Sequence, residues 1–362
     1  MKTLLSFVSA SMLAVSSSFA QVPGIPGLSR APVVSTGPQG TTLGANLTSG
    51  AGGIDLANRV KLRGFIDFMY ANLQNDEPQV LGADPNDKAG FNTAVDMDFL
   101  LDFSPVTAEI HTNLNNTSGS FDTSLEQAFI RYSFNRDFNI SMGRQLTTLG
   151  FEADEAPNLY QVSYAYLLGD IIDGGMGGRR NYVDGIRANF NNGRFGFTLG
   201  LHNELYSETH STKKGDIGID LQLALMIMPG FEARLGYAHD SEDDRDPATE
   251  DDIEQFNAWV AYNDGGLTLA LEYDDWDIGS WDAWNVMLMG SYQFNNFFAL
   301  TLRYSHEDFE YSATKEEDSD RITIGAGFSI TDNFGINLEM SHSGVDVKNG
   351  GADSSYDVEE YY

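Results

Sequence analysis

From residue 59 onward the side chains alternate with a period of two, and no other feature constrains the fold as strongly. Asp96, Asp98, Leu100 and Asp102 interleave with Val95, Met97, Phe99, Leu101 and Phe103. Ile217, Ile219, Leu221, Leu223, Leu225 and Ile227 interleave with Gly218, Asp220, Gln222, Ala224 and Met226. Phe334, Ile336, Leu338 and Met340 interleave with Gly335, Asn337, Glu339 and Ser341. A period of two belongs to strands with one apolar and one polar or small face. The uncharged stretch 283–302 is interrupted by Ser291, Gln293, Asn295 and Asn296, so it does not read as a membrane helix.

The connections between these runs come in two kinds. Short turn signals lie at Ser104-Pro105, Asn135-Arg136-Asp137, Asn191-Asn192-Gly193, Pro229-Gly230, 263–266, Asn295-Asn296 and Thr331-Asp332-Asn333. Each joins two alternating runs as a tight hairpin. Longer, charged connections fall between the hairpins. Short and long links in alternation are the pattern of a bacterial outer-membrane barrel, with tight periplasmic turns and long extracellular loops. Strand starts near 60, 93, 106, 122, 138, 181, 194, 217, 231, 252, 267, 284, 297, 320, 334 and 354 give sixteen strands. The count places both chain ends on the short-turn side. Glu359 and Glu360 occupy places in the last strand where apolar side chains are expected, which keeps fourteen strands open.

Aromatic residues flank all seven tight turns: Phe103, Phe134, Phe138, Phe190, Phe195, Phe231, Tyr262, Phe294, Phe297, Phe298 and Phe334. Rings at one height form a girdle at a membrane interface. The core of a β-sandwich would also hold aromatics, but it would not pair them with alternating loop lengths. In lipid no backbone N–H or C=O is left unpaired, so the sheet closes on itself. Around sixteen strands leave an aqueous lumen, whereas about eight fill with side chains. The expected fold is therefore an all-β transmembrane antiparallel barrel over residues 59–362.

Residues ahead of the barrel read differently. Met1 and Lys2, an apolar stretch and Ser18-Phe19-Ala20 make 1–20 a secretory signal peptide cut before Gln21. Residues 21–58 hold Pro23, Pro26, Pro32 and Pro38 among many small residues, with Arg30 and Asp55 as their charges. They read as a periplasmic linker or a plug.

Composition removes several functions. The chain carries 53 acidic and 21 basic residues, a net charge of −32, which argues against a nucleic-acid partner. It has no Cys, so thiolate zinc sites and cysteine nucleophiles are excluded. His111, His202, His210, His239, His306 and His342 show no HExxH or other close metal spacing, and there is no G-x-S-x-G elbow. His111 and His202 lie on polar faces and read as solvated lumen side chains. The glycines 174–178 lack the Lys-Ser/Thr of a phosphate loop. No enzyme chemistry and no cofactor are expected. Asp243, Asp244 and Asp246, in the acidic run 240–252, are weak candidates for a divalent cation bridging to lipopolysaccharide phosphate, although no calcium-loop spacing is present. A second acidic loop is expected over 307–320.

The longest connection, 146–180, reads as the third extracellular loop. It carries Glu152, Asp154, Glu155, Asp170 and Asp173 beside Leu159, Tyr160, Tyr164, Tyr166 and Leu167. That mixture suits folding inward to narrow the lumen. Parity places Arg63, Asp67, Asp96, Asp98, Asp102, Glu109, Arg131, Arg187, Asp220, Arg234, Glu272, Arg303 and Glu339 on the lumen face. Charged patches of this kind set ion selectivity, and the excess of acid points to mild cation preference. The candidate constriction comprises the five loop acids with Asp96, Asp98, Arg131, Arg187 and Arg303. A structural or adhesive barrel acting through acidic surface loops is the alternative, with an outer-membrane hydrolase a distant third.

The stretches Glu126-Gln127-Ala128-Phe129-Ile130-Arg131-Tyr132, Ile140-Ser141-Met142-Gly143-Arg144-Gln145, Leu149-Gly150-Phe151-Glu152, Asn181-Tyr182-Val183-Asp184-Gly185-Ile186-Arg187 and Leu199-Gly200-Leu201-His202-Asn203 resemble the OmpL-like β-barrel porins of Gram-negative bacteria. The resemblance runs diffusely from residue 59 to the end. It implies an outer-membrane porin for small solutes and ions, with lipid and lipopolysaccharide around it and a homotrimeric assembly. It brings no catalytic residues.

Overall fold

The computed structural model describes residues 11–14, 54–57, 59–76, 88–117, 120–152, 159–166, 181–203, 205–206, 217–241, 252–279, 281–312, 314–331, 334–351 and 353–362. Two short strands come first, β1 (Ser11–Ala14) and β2 (Ile54–Ala57). The wall follows: β3 (Val60–Asn75), β4 (Lys88–Phe103), β5 (Val106–Thr117), β6 (Ser120–Ser133), β7 (Phe138–Leu146), β8 (Tyr182–Asn191), β9 (Phe195–His202) and β10 (Gly218–Met228). It continues as β11 (Phe231–Asp240), β12 (Ile253–Asp264), β13 (Leu267–Ile278), β14 (Trp281–Gln293), β15 (Phe298–Ser312), β16 (Lys315–Thr331), β17 (Phe334–Asn349) and β18 (Ser354–Tyr361). Each wall strand pairs antiparallel with the next, and β18 returns to pair with β3. The result is a closed barrel of sixteen wall strands.

All seven expected tight turns join consecutive strands at one end of the barrel. Three are built alike, with Asn three residues before Phe. Asn135 Oδ1 accepts from the N–H groups of Asp137 and Phe138. Asn192 Oδ1 accepts from Arg194 and Phe195, and Asn295 Oδ1 from Phe297 and Phe298. The Asn side chain satisfies two strand-end donors that the hairpin leaves open. Gly230 has φ +79, and a Cβ there would lie 2.2 Å from the Asn263 carbonyl oxygen, so only glycine fits that corner. Rings cluster at this end, with Tyr132–Phe134 centroids 4.9 Å apart and Phe294–Phe298 5.4 Å apart.

The outward faces carry the lipid belt. Ile322 and Leu288 are 57 % and 56 % exposed at outward positions, where water would penalise them. A second aromatic row closes the belt, Tyr273 against Trp284 and Trp284 against His306 at 4.9 Å. Beyond it the outward residues turn acidic, with Asp308 opposite Asp318 and Asp318 opposite Asp346.

Two expectations are corrected here, and the expected strand count is met. Residues 307–320 are not a loop: β15 runs to Ser312 and β16 begins at Lys315. Asp and Glu have low strand propensity, which hid the extension, but cross-strand pairing and burial override it. Long and short links also do not alternate throughout, since β5–β6, β13–β14 and β15–β16 are joined by tight hairpins at the far end. The last strand exists, so the count is sixteen and not fourteen. Glu360 turns inward to pair with Arg321 and to accept from Ser341 Oγ, which explains an acid in that strand. β18 nevertheless stops part-way down the wall, with Tyr362 opposite Glu339 rather than beside Phe334.

Candidate functional site

All thirteen positions assigned to the lumen by parity point inward, and most are buried rather than solvated. The reason is what covers and pairs them. After β7 the chain turns into the barrel and follows the inner wall. Thr147 N–H donates to the Asn181 carbonyl, which closes the base of the loop. Thr148 donates through N–H and Oγ1 to Asp220 on β10, at 3.2 and 2.9 Å. Gly150 N–H reaches Asn257 on β12, and Phe151 N–H reaches Glu272 on β13 at 2.6 Å. Glu152 forms an ion pair with Arg303 on β15. The returning segment is held as firmly. Arg303 donates to the carbonyls of Ser163 and Tyr164, and Glu339 on β17 accepts from the N–H groups of Val162 and Ser163 and from Ser163 Oγ. The loop thus takes polar anchors from each of β10, β12, β13, β15 and β17. Because alternate residues point inward, each strand offers a polar side chain at the right height.

Apolar packing reinforces these anchors. Phe151 meets the Trp259 ring edge-on at 5.4 Å and stacks near Tyr160. Ala165 and Tyr166 join Met287, Met289, Ala261 and Ala270 in the same buried cluster. Leu205 and Tyr206, from the β9–β10 connection, fold in against Trp276, with Tyr206 Oη donating to Gln255. Burial and the carboxylates of Glu272, Asp274, Glu152 and Glu307 push the Tyr166 phenol well up, so it stays neutral.

The wall of β3 to β6 carries a ladder of charges instead. Arg63 pairs with Asp98, and Asp98 lies 3.0 Å from His111 Nδ1. His111 Nε2 lies 3.1 Å from Glu109, which pairs with Arg131 at 3.2 Å. A smaller group joins Arg187 and His202 to Asp220 at 3.5 and 2.9 Å. Gly200 makes it possible, since a Cβ there would lie 1.9 Å from Asp220 Oδ1. His111 and His202 are therefore buried against carboxylates, not solvated as expected.

The candidate constriction residues divide among these places. Glu152 and Arg303 are joined. Asp98 and Arg131 share the ladder, and Asp96 is buried one lumen position along β4 from Asp98. Arg187 belongs to the Asp220 group. Asp154, Glu155, Asp170 and Asp173 lie outside the described residues, as do Asp243, Asp244 and Asp246. Among the described residues no group of three or more His, Asp or Glu is arranged to hold a metal ion. Sequence reading missed Trp259, Trp276, Met287, Met289 and Phe309, large apolar side chains at inward positions. Their signal was there, as apolar residues sharing strand parity with buried polar ones, Trp276 with Glu272 and Asp274, Trp259 with Asn257, Met287 with Asn285 and Phe309 with Arg303.

No family model matches the chain, and no curated protein does. Solved structures do match. OmpF of Salmonella typhi, in complex with daunomycin, has a TM-score of 0.59 at 14% identity, over 83% of this chain and 96% of that one. An anion-selective porin from Comamonas acidovorans has a TM-score of 0.59 at 16% identity, over 83% and 97%. The outer membrane channel DcaP of Acinetobacter baumannii has a TM-score of 0.56 at 12% identity, over 85% and 98%. The chain thus has the fold of the outer-membrane β-barrels.

Proposed function

We propose that this protein is an outer-membrane porin, a water-filled channel for passive diffusion of small hydrophilic solutes and ions, narrowed by the loop 146–180. The observation that carries the reading is the docking of that loop along the lumen wall, anchor by anchor, from β10 to β17. A loop serving only the rim would not use buried lumen carboxylates and arginines as its partners. The chain would reach the outer membrane through a leader cut before Gln21. It would sit among lipid and lipopolysaccharide as a homotrimer, and mild cation preference follows from the excess of lumen acids. Planar-bilayer recording tests the reading. Purified protein is expected to give ohmic channels whose conductance rises when 150–178 is deleted. No channel, or one unaffected by that deletion, would overturn it.

A further inference from the structure

The ends of β14, β15 and β16 remote from the seven turns carry a corner of rings on their inner face. Trp281 shares parity with the buried Ala283 and Asn285, and Tyr311 with the buried Glu307 and Phe309, so both turn toward the lumen. Tyr311 sits at a bulge: Glu310 pairs with Glu316 and Ser312 with Lys315, and the register skips the residue between. A bulge re-aims the side chain that it carries. The Tyr311 ring meets Trp281 at 5.2 Å and an angle of 76°, and Phe309 stacks behind it at 6.0 Å. Trp281, at the rim of this corner, is 36 % exposed.

The corner already holds a cation. Lys315 Nζ lies 4.3 Å from the Tyr311 ring centroid and 3.4 Å from Glu317 Oε1. Glu317 Oε2 accepts from Tyr311 Oη at 3.3 Å, which fixes the ring against the carboxylate. A ring face backed by a carboxylate recognises an alkylammonium group through the quadrupole of the ring and the charge of the acid. The Lys315 side chain is 43 % exposed, so its hold is weak and water reaches its ammonium. We propose that Lys315 is the tethered occupant of a site for small organic cations, which displace it as they enter the lumen. An ammonium solute fits this corner better than a metal ion, because a ring has no oxygen to replace the water shell of a hard cation. Charge favours delivery. Asp308, Asp318 and Asp346 stand on the outward face of β15, β16 and β17 at the same mouth, and acids gathered there raise the local concentration of cations. The site rests on the water-filled lumen proposed above and names a class of solute that such a lumen would gather.

Choline is the probe, and its uncharged isostere, with carbon in place of the quaternary nitrogen, is the control. Ligand-observed NMR on the full exported protein, folded in detergent, is expected to show saturable binding of choline and none of the isostere. Tyr311→Leu is expected to abolish binding and Glu317→Gln to weaken it. Lys315→Ala empties the corner and is expected to tighten binding about threefold, the reach of an exposed ion pair. Lys348→Ala removes a lysine from the outward face of β17 and is expected to leave the affinity unchanged. Absence of choline binding would overturn the proposal, as would equal binding of the isostere or full binding by Tyr311→Leu or Glu317→Gln. So would an affinity that Lys315→Ala leaves unchanged or lowers, or one that Lys348→Ala raises as much. Should Tyr311→Leu fail to fold, Glu317→Gln and Lys315→Ala carry the test. Binding is read without a membrane. A protein that conducts without binding choline overturns this site alone, and one that binds choline without conducting overturns the porin reading alone.

Discussion

Glu152 and Arg303, 151 residues apart in sequence, meet as an ion pair inside the lumen. Arg303 is 3% exposed, and its other donors reach the carbonyls of Ser163 and Tyr164. One guanidinium therefore holds both limbs of the loop. Arg303→Ala leaves a buried carboxylate without its partner, a loss of about 3 kcal/mol. The expected outcome is a noisier channel of higher conductance in bilayer recordings, with Glu152→Gln giving a smaller effect in the same direction.

Trp259 supports the loop from beneath. Its ring meets Phe151 and lies 4.8 Å from the Arg234 guanidinium carbon. Trp259→Ala is expected to cost about 3 kcal/mol through the cavity it opens. Protease cleavage within 150–178 should quicken while the barrel itself stays folded by gel mobility.

Gly200→Val places a side chain where Asp220 and His202 lie. Losing that group also removes the Thr148 anchor. A loss above about 2 kcal/mol is expected, as for overpacked buried sites. The folded fraction after refolding from urea measures it, with Gly90→Val as a control because a Cβ at Gly90 meets nothing within 4 Å.

The three Asn-to-Phe turns give a graded test. Asn135→Ala, Asn192→Ala and Asn295→Ala each remove two accepted hydrogen bonds at an exposed turn. Each is expected to cost about 1 kcal/mol, and the three to add, since they lie on separate hairpins. Urea unfolding midpoints of the single and triple variants check both statements.

Ion preference is measured by reversal potential in a salt gradient. The expected sign is cation-favouring. Asp98→Asn removes a charge that Arg63 and His111 share and should move the potential toward chloride by a few millivolts. A wild-type potential already favouring chloride would contradict the expected preference.

Much of the wall is legible in the sequence, because a period of two leaves each strand only two faces. Strand starts expected at 60, 106, 138, 231, 267, 334 and 354 are the observed ones. Outer strand ends were hidden because Asp and Glu between Glu307 and Asp320 read as solvated loop, while pairing such as His306 with Asp320 keeps them in the sheet. The loop's path was legible only as a tendency. Its mixture of aromatic and acidic residues suggested inward folding, but the partners Asp220, Asn257, Glu272 and Glu339 are 72 to 177 residues away from it in sequence. No local pattern encodes such pairings.

The strands that run on past the lipid belt change what the barrel offers to its surroundings. β16 alone has 17 residues. At about 3.3 Å per residue and a tilt near 40°, it rises about 40 Å, against an apolar band of roughly 25 Å. Over β15 to β17 the surplus stands on one side as a stiff extension of the wall, with β15 and β16 joined by a tight hairpin. Electrical resistance grows with the length of a tube, so this extension adds a series resistance that the membrane thickness does not account for. Large particles approaching from that side would meet, over β15 to β17, a rigid acidic face of sheet.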